Sequence, residues 1–415
     1  MEPGFSPLDE ELEILPGSLT PLLHEQLVRL GTWMPFARAV GEFANLIYTE
    51  VSEPTARRDT EAAGAALVAA QEAEVERLVA EAPAPPAGPE VGLFSVDGAM
   101  VPLVGGEWAE VKTLTLGEVV AEGGEVHTRQ LSYFSRLADA ERFTHQALGE
   151  AHRRGVETAG RVVAVSDGAE WIDKVLAYHR PDAVRVLDYA HAATRLYALA
   201  EAIGGTEAVA WGRELAGRLL GEGPAGVLEA VRARAGERIG EDPIREHLGY
   251  LTKRQGRMDY PHYRAQGWPI GSGAAESANK LVVEARLKGS GMHWARPHVD
   301  PLLALRDAMC SGRWEECWAQ IVRERRRQAG EGRLARHRAR LAPPTPATEP
   351  SPPPAVGTTA AEQAPKEAEG PLVAEGSSAE VPSPAAQTPR KPGPDHPWHA
   401  PAVLGVPRLP PRVKL

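Results

Sequence analysis

Two apolar runs in this chain end in the same dipeptide. Leu93, Phe94, Ser95 and Val96 lead into Asp97-Gly98, and Arg161, Val162, Val163, Ala164, Val165 and Ser166 lead into Asp167-Gly168. A short, nearly continuous apolar run rich in β-branched residues suits a strand covered on both faces, so both runs predict strands inside a sheet. Asp-Gly by itself is a common turn. Its recurrence after two such runs is the constraint: each strand would deliver a carboxylate at the same edge of one sheet.

The surrounding pattern predicts extended runs at 111–120 and 130–134, an amphipathic helix over 139–154, a helix over 170–178 and a further strand at 183–187. A β-β-β-α-β-α-β order, with a helical crossover between the last two strands, predicts an α/β fold built on a mixed, RNase H-like sheet. Residues 204–268 read as further helices, with Trp211, Leu215, Val227, Ile244 and Leu248 at helical spacing.

Two strand-end aspartates suit phosphodiester chemistry. In-line displacement is served by two divalent ions, one activating the attacking water and one stabilising the leaving oxygen. Mg²⁺ or Mn²⁺ takes a few carboxylates and fills its remaining positions with water and phosphate oxygens. A third acid is expected from a later helix. The lead-in Trp268-Pro269-Ile270-Gly271-Ser272-Gly273 is more particular than a helix cap requires, and Glu276 follows it; Glu276, Lys280, Val283 and Leu287 then fall along one side of the predicted helix. Asp188 also closes an apolar strand and is an alternative to Asp167 as second metal ligand; the expectation that the fourth strand lies beside the first favours Asp167.

Four segments carry a resemblance: Val96-Asp97-Gly98; Val165 to Ile172; Asp188-Tyr189-Ala190-His191; and Pro269 through Glu276 to Trp294. They resemble bacterial insertion-sequence transposases with a DDE triad, in particular the group related to the Mutator-like elements. The resemblance covers about residues 91–318. It implies Asp97, Asp167 and Glu276 as ligands for Mg²⁺ or Mn²⁺, and Asp188 with His191 as a signature pair beside them. It further implies cleavage at element ends, strand transfer into target DNA, and a homo-oligomer assembled on terminal repeats and target duplex. A structure-specific nuclease of the same fold, and a non-catalytic regulator descended from a transposase, are the competing classes. In such enzymes Trp268 or Trp294 would stack on an extruded base, although a tryptophan in either place also suits a core.

A protein that grips DNA needs local positive charge, yet the net charge is −10. The charge is uneven: residues 280–340 hold 14 Lys and Arg against 7 Asp and Glu, a net of +7. Lys280, Arg286, Lys288, Arg323, Arg325, Arg326 and Arg327 are therefore expected phosphate contacts. Residues 1–82 read as an all-α, helix-turn-helix-like region in which Thr32 caps one helix and Ser52 a second, short one presenting Arg57 and Arg58 to a DNA groove. Residues 83–90 (Pro-rich) read as a linker, 91–203 as the first part of the catalytic core, 204–268 as the insertion and 269–341 as the closing helices. Residues 342–415, rich in Pro, Ala, Glu and Ser, are expected to be disordered. No apolar run approaches membrane-spanning length and the start lacks a secretory pattern, which points to the bacterial cytoplasm and nucleoid. Cys310 and Cys317, the only cysteines, fit neither a disulfide framework nor a zinc spacing and are expected to be reduced thiols.

Overall fold

The structure, a computed structural model, describes residues 19–341. The expected Pro-rich tail at 342–415 lies outside the described residues.

Three helices come first. α1 (Pro21–Trp33) starts at Thr20, whose hydroxyl accepts from the Leu23 amide. α2 (Phe36–Ile47) starts after Pro35. Thr32 is not the cap expected of it: it lies in the last turn of α1 and its hydroxyl donates to the Val28 carbonyl at 2.8 Å, leaving Pro35, with its fixed φ, to open α2. Ser52 does cap a helix, accepting from the Thr55 amide at 3.3 Å. That helix, α3 (Glu53–Glu81), is not short but runs 29 residues, because the Ala-rich stretch after Arg58 contains no breaker and only Gly64 as a weak former.

A five-stranded mixed sheet follows: β1 (Val91–Pro102), β2 (Trp108–Glu122), β3 (Glu125–Arg136), β4 (Arg161–Ser166) and β5 (Val184–Leu187), in spatial order β3-β2-β1-β4-β5. β1 to β3 form an antiparallel meander, and β4 pairs parallel to both β1 and β5. Two short helices, α4 (Ala140–Gln146) and α5 (Leu148–Arg153), replace the single helix expected over 139–154. α6 (Glu170–His179) joins β4 to β5.

β4 is a continuous apolar run because both its faces are covered. Val163 and Val165 join Leu93 and Val186 under the helices that follow β5: α7 (Tyr189–Gly204), α8 (Ala208–Glu222), α9 (Pro224–Ala235), α10 (Asp242–Lys253) and α11 (Tyr260–Ala265). Val162 and Ala164 join Phe94 and Val96 against α4 to α6 on the opposite face. Helices therefore fill residues 204–268, packed on one sheet face.

The closing segment is α12 (Gly273–Ala278), a π-helical turn (Asn279–Glu284), α13 (Ala285–Leu287), α14 (Val299–Cys310) and α15 (Trp314–Leu341). Val282, Val283, Leu287, Trp294 and Leu302 cover the far half of β1 and β2 through Ala99, Val101 and Val111. α14 then meets α1, α3 and α15 in a further core containing Val28, Ala63, Leu67, Leu305 and Ile321. The boundary at 83–90 separates helix from sheet along the chain, but the N-terminal helices share a core with α14 and α15, and the described residues as far as Ala339 belong to one unit. Cys310 and Cys317 are free thiols in this region, each pushed up to about 11 by burial. No helix among the described residues is long and apolar enough to cross a membrane.

Candidate active site

Strand register puts the two aspartates together. Along the parallel β1–β4 pair every partner is 70 residues further on, from Val91↔Arg161 to Ser95↔Val165. The same offset carried two residues further relates Asp97 to Asp167. Asp97 shares the side-chain parity of Leu93 and so leaves the sheet on the face that the later helices cover, while Asp167 lies one residue past the end of β4, its charge near enough to raise the Asp97 pKa. On β1, Leu93 belongs to the core under α7 to α11, while Ala99 and Val101 belong to the core under the π turn. Asp97 thus stands at the seam between the two helical covers.

Asp97 does not end its strand, as the Asp-Gly pattern suggested. β1 continues to Pro102 with Asp97 opposite Thr113 of β2, and Gly98 stays in the ladder opposite Lys112. What stops near Asp97 is the β4 partner, because Gly168 turns away with φ +78°. A side chain at 168 would be strained by that angle and would run into Arg254.

The Asp97 carboxylate accepts from the Gly98 amide (Oδ1, 2.8 Å) and from Asn279 Nδ2 (Oδ2, 2.9 Å). Burial raises its pKa, the Gly98 hydrogen bond opposes the rise, the Asp167 charge adds to it, and Asn279 and His191 oppose it. Asp167 accepts from the Ala169 amide at 2.9 Å. Its turn is braced from the helical insertion: Tyr250 donates its hydroxyl to the Asp167 carbonyl, and Arg254, lying over the Tyr250 ring, donates to the Gly168 carbonyl through Nε (2.9 Å) and Nη2 (2.6 Å).

Asp188 has a different task. Buried at 2% exposure, it caps α7 by accepting from the His191 amide at 2.8 Å, and its other oxygen accepts from the Ser272 amide. The Tyr189 amide donates to the Ile270 carbonyl at 2.9 Å. Asp188 therefore pins the Trp268–Ser272 lead-in to the end of β5, and its pKa is lowered: burial opposes the shift, and the hydrogen bonds from His191 and Ser272 outweigh it. His191, half exposed, places Nδ1 3.4 Å from Asp188. Its pKa is raised, by that hydrogen bond first and against burial, with the Asp188, Asp167 and Asp97 charges adding.

Glu276 sits half-buried in α12, with Oε1 3.5 Å from the Ser272 hydroxyl. The expected alignment of Glu276 and Lys280 with Val283 and Leu287 does not form. The buried column is Ala275, Asn279, Val283 and Leu287, while Lys280 is exposed. A strict four-residue repeat drifts around an α-helix, and the wider π turn absorbs the drift. Among the described residues no group of three or more His, Cys, Asp or Glu is placed to hold a metal ion. The donor chemistry fits a hard divalent cation in part. Asp97 and Asp167 are paired acids, the first already strained towards protonation, and a cation between them would relieve their repulsion. Glu276 is not brought into that pair.

The expected phosphate contacts divide. Arg57 and Arg58 are exposed at the start of α3, and Lys280 and Arg323 are exposed. Lys288 is paired with Glu284 at 2.7 Å, and Arg327 is held between Glu324 (2.7 Å) and Glu331 (2.6 Å). Arg325 and Arg326 are half-buried. Arg286 is a correction: it is 1% exposed, donates to the Gly31 carbonyl at 3.0 Å and lies over Phe36 and Trp294, so it ties α13 to α1 and does not face solvent. Trp294 is likewise a core residue, with its indole N–H on the Leu287 carbonyl at 3.0 Å. Trp268, half-buried, stacks on Tyr263.

Sequence reasoning missed Asn279, Tyr250 and Arg254. The first follows Glu276 by three residues, a usable helical signal; the other two act from a separate helix and left none. No protein-family model matches the chain, and no curated protein matches it.

Proposed function

We propose that this chain is a DNA transposase of an insertion sequence, with an RNase H-like catalytic core, that cleaves element ends and joins them to target DNA. The observation that carries the reading is that the β1–β4 register, paired as far as Ser95↔Val165, leads Asp97 on β1 towards Asp167 just past the end of β4, near enough for the Asp167 charge to raise the Asp97 pKa. The β3-β2-β1-β4-β5 order supports the fold assignment, as does the helical block between β5 and α12.

Asp97 and Asp167 would hold Mg²⁺ or Mn²⁺, which when bound lowers the pKa of an attacking water and stabilises the leaving oxygen. Glu276, one α12 turn before Asn279, would join them once DNA and cation draw the seam together. The His191 pKa is raised, first by its hydrogen bond with Asp188 and further by the nearby carboxylate charges, which suits its ring to donating to a phosphate oxygen at the scissile position. Lys280 and Arg323 are exposed cations suited to positioning duplex DNA without reading bases, and Arg57 and Arg58, exposed at the start of α3, are suited to a DNA groove. A homo-oligomer on paired ends is part of the same reading.

The test is strand cleavage and joining on a duplex carrying the element's own end, with Mg²⁺ or Mn²⁺. Asp97→Ala, Asp167→Ala and Glu276→Ala are expected to bind the end and neither cut nor join, a loss of at least 10³-fold, on the order of 4 kcal/mol of transition-state stabilisation. Asp188→Ala is expected to lose thermal stability along with activity, since it removes the cap and the pin on Ser272. A wild type that binds the end and never cuts it would replace the enzyme by a DNA-binding regulator.

A further inference from the structure

We propose that Asn279 is the positioning residue of the acidic site: it fixes the rotamer of Asp97 so that the carboxylate presents its remaining lone pairs towards Asp167. The inference rests on the cation-binding reading above.

A carboxylate has about four acceptor positions. In Asp97 one position on each oxygen is taken, Oδ1 by the Gly98 amide and Oδ2 by Asn279 Nδ2. The two donors come from different elements and bind different oxygens. Gly98 belongs to the strand that carries Asp97, whereas Asn279 descends from the helical cover, 182 residues further along the chain. A carboxylate held from both ends cannot swing about its χ angles, yet it retains one lone pair on each oxygen for a cation. Asn279 itself cannot turn away. It is 5% exposed, and it sits where the α-helix widens into the π turn, on the buried column of Ala275, Val283 and Leu287.

The side chain is an expensive choice for packing alone. Its Oδ1 is buried and has no hydrogen-bond partner in the structure. An unsatisfied buried amide oxygen carries an uncompensated desolvation cost that an apolar residue at 279 would avoid. The N–H donated to Asp97 is the one polar contact that the Asn279 side chain makes among the described residues. Hydrogen-bond partners that orient metal ligands from behind typically change metal affinity 10- to 100-fold when removed.

The experiment measures Mn²⁺ binding by the electron paramagnetic resonance signal of the free ion, using the full chain without DNA. It compares wild type, Asp97→Asn, Asn279→Ala and Asn279→Leu, with thermal unfolding of each in EDTA. The expected result is that Asp97→Asn abolishes the site and both Asn279 variants weaken it at least 10-fold, while their melting temperatures in EDTA stay at or above that of wild type. Two substitutions of different volume separate loss of the N–H from a packing defect, since only the former is common to both. If Asp97→Asn abolishes binding and the Asn279 variants bind as wild type does, the positioning role is overturned and the cation site stands. If Asp97→Asn binds Mn²⁺ as wild type does, the cation site and the role of Asn279 fall together.

Discussion

At the scale of single residues, several charged or polar side chains are buried and hold elements together. Arg286 and Asp188 are two examples; His179 is a third. His179 closes α6, is 8% exposed, packs by its ring against Phe94 and has Nε2 3.0 Å from the Thr144 carbonyl. Burial pushes its pKa down to about 4, opposed by that hydrogen bond. The folded value lies below the ordinary 6.5, so between them the unfolded chain binds more protons than the folded one. Stability is therefore expected to fall as pH drops from about 6.5 to 4, by on the order of 3 kcal/mol from this residue. His24, buried against α15 and also lowered mainly by burial, adds in the same direction. Urea unfolding of wild type and His179→Phe at pH 7 and pH 5 checks this. The variant should show a shallower pH dependence, together with a pH-independent cost of about 1 kcal/mol for the orphaned Thr144 carbonyl; an equal slope in both proteins would refute the assignment.

At the scale of elements, α14 is the member whose role the sequence conceals most. β3 is a sheet edge, and two alternate amides on it, those of Tyr133 and Ser135, together with that of Leu137 just past its end, donate to Ser311 just beyond α14 (3.0 Å) and to Asp307 (2.7 Å) and Asp300 (2.7 Å) within it. Side chains from a crossing helix thus close an edge that would otherwise pair with another strand. On its other side α14 meets α3 so closely that a Cβ built on Gly64 would overlap the Pro301 backbone. Gly64→Ala is expected to destabilise the protein by roughly 1–3 kcal/mol through overpacking. Gly217→Ala, in open space on α8, should stabilise it by about 0.5–1 kcal/mol through helix propensity. Denaturant midpoints of the two variants compare these directly, and a Gly64→Ala midpoint at or above wild type would remove the close approach.

At the scale of the whole molecule, the N-terminal helices are part of the fold that carries the acidic site. Val28, Ala63 and Leu67 share a core with Ala304, Leu305 and Ile321, and Arg136 at the end of β3 reaches Gln71 of α3. A fragment beginning at residue 83 is expected to lose cooperative unfolding, because it would bare the apolar faces of α14 and α15; a sharp calorimetric transition from that fragment would show that the helices are dispensable. The sequence alone determined the strands and their order of occurrence, because burial on two faces writes a continuous apolar run and each loop carries its own turn residues. It also singled out Asp97, Asp167 and the Asp188–His191 pair, each from the few residues on either side of it. The tertiary structure decided what depends on contacts between distant segments. The constant 70-residue register sets Asp97 beside Asp167, the Ser272 amide turns Asp188 into a pin, the π turn brings Asn279 to Asp97, and α14 draws the N-terminal helices into the core. These are choices among partners tens to hundreds of positions apart, settled by packing and hydrogen-bond satisfaction, for which local periodicity has no term.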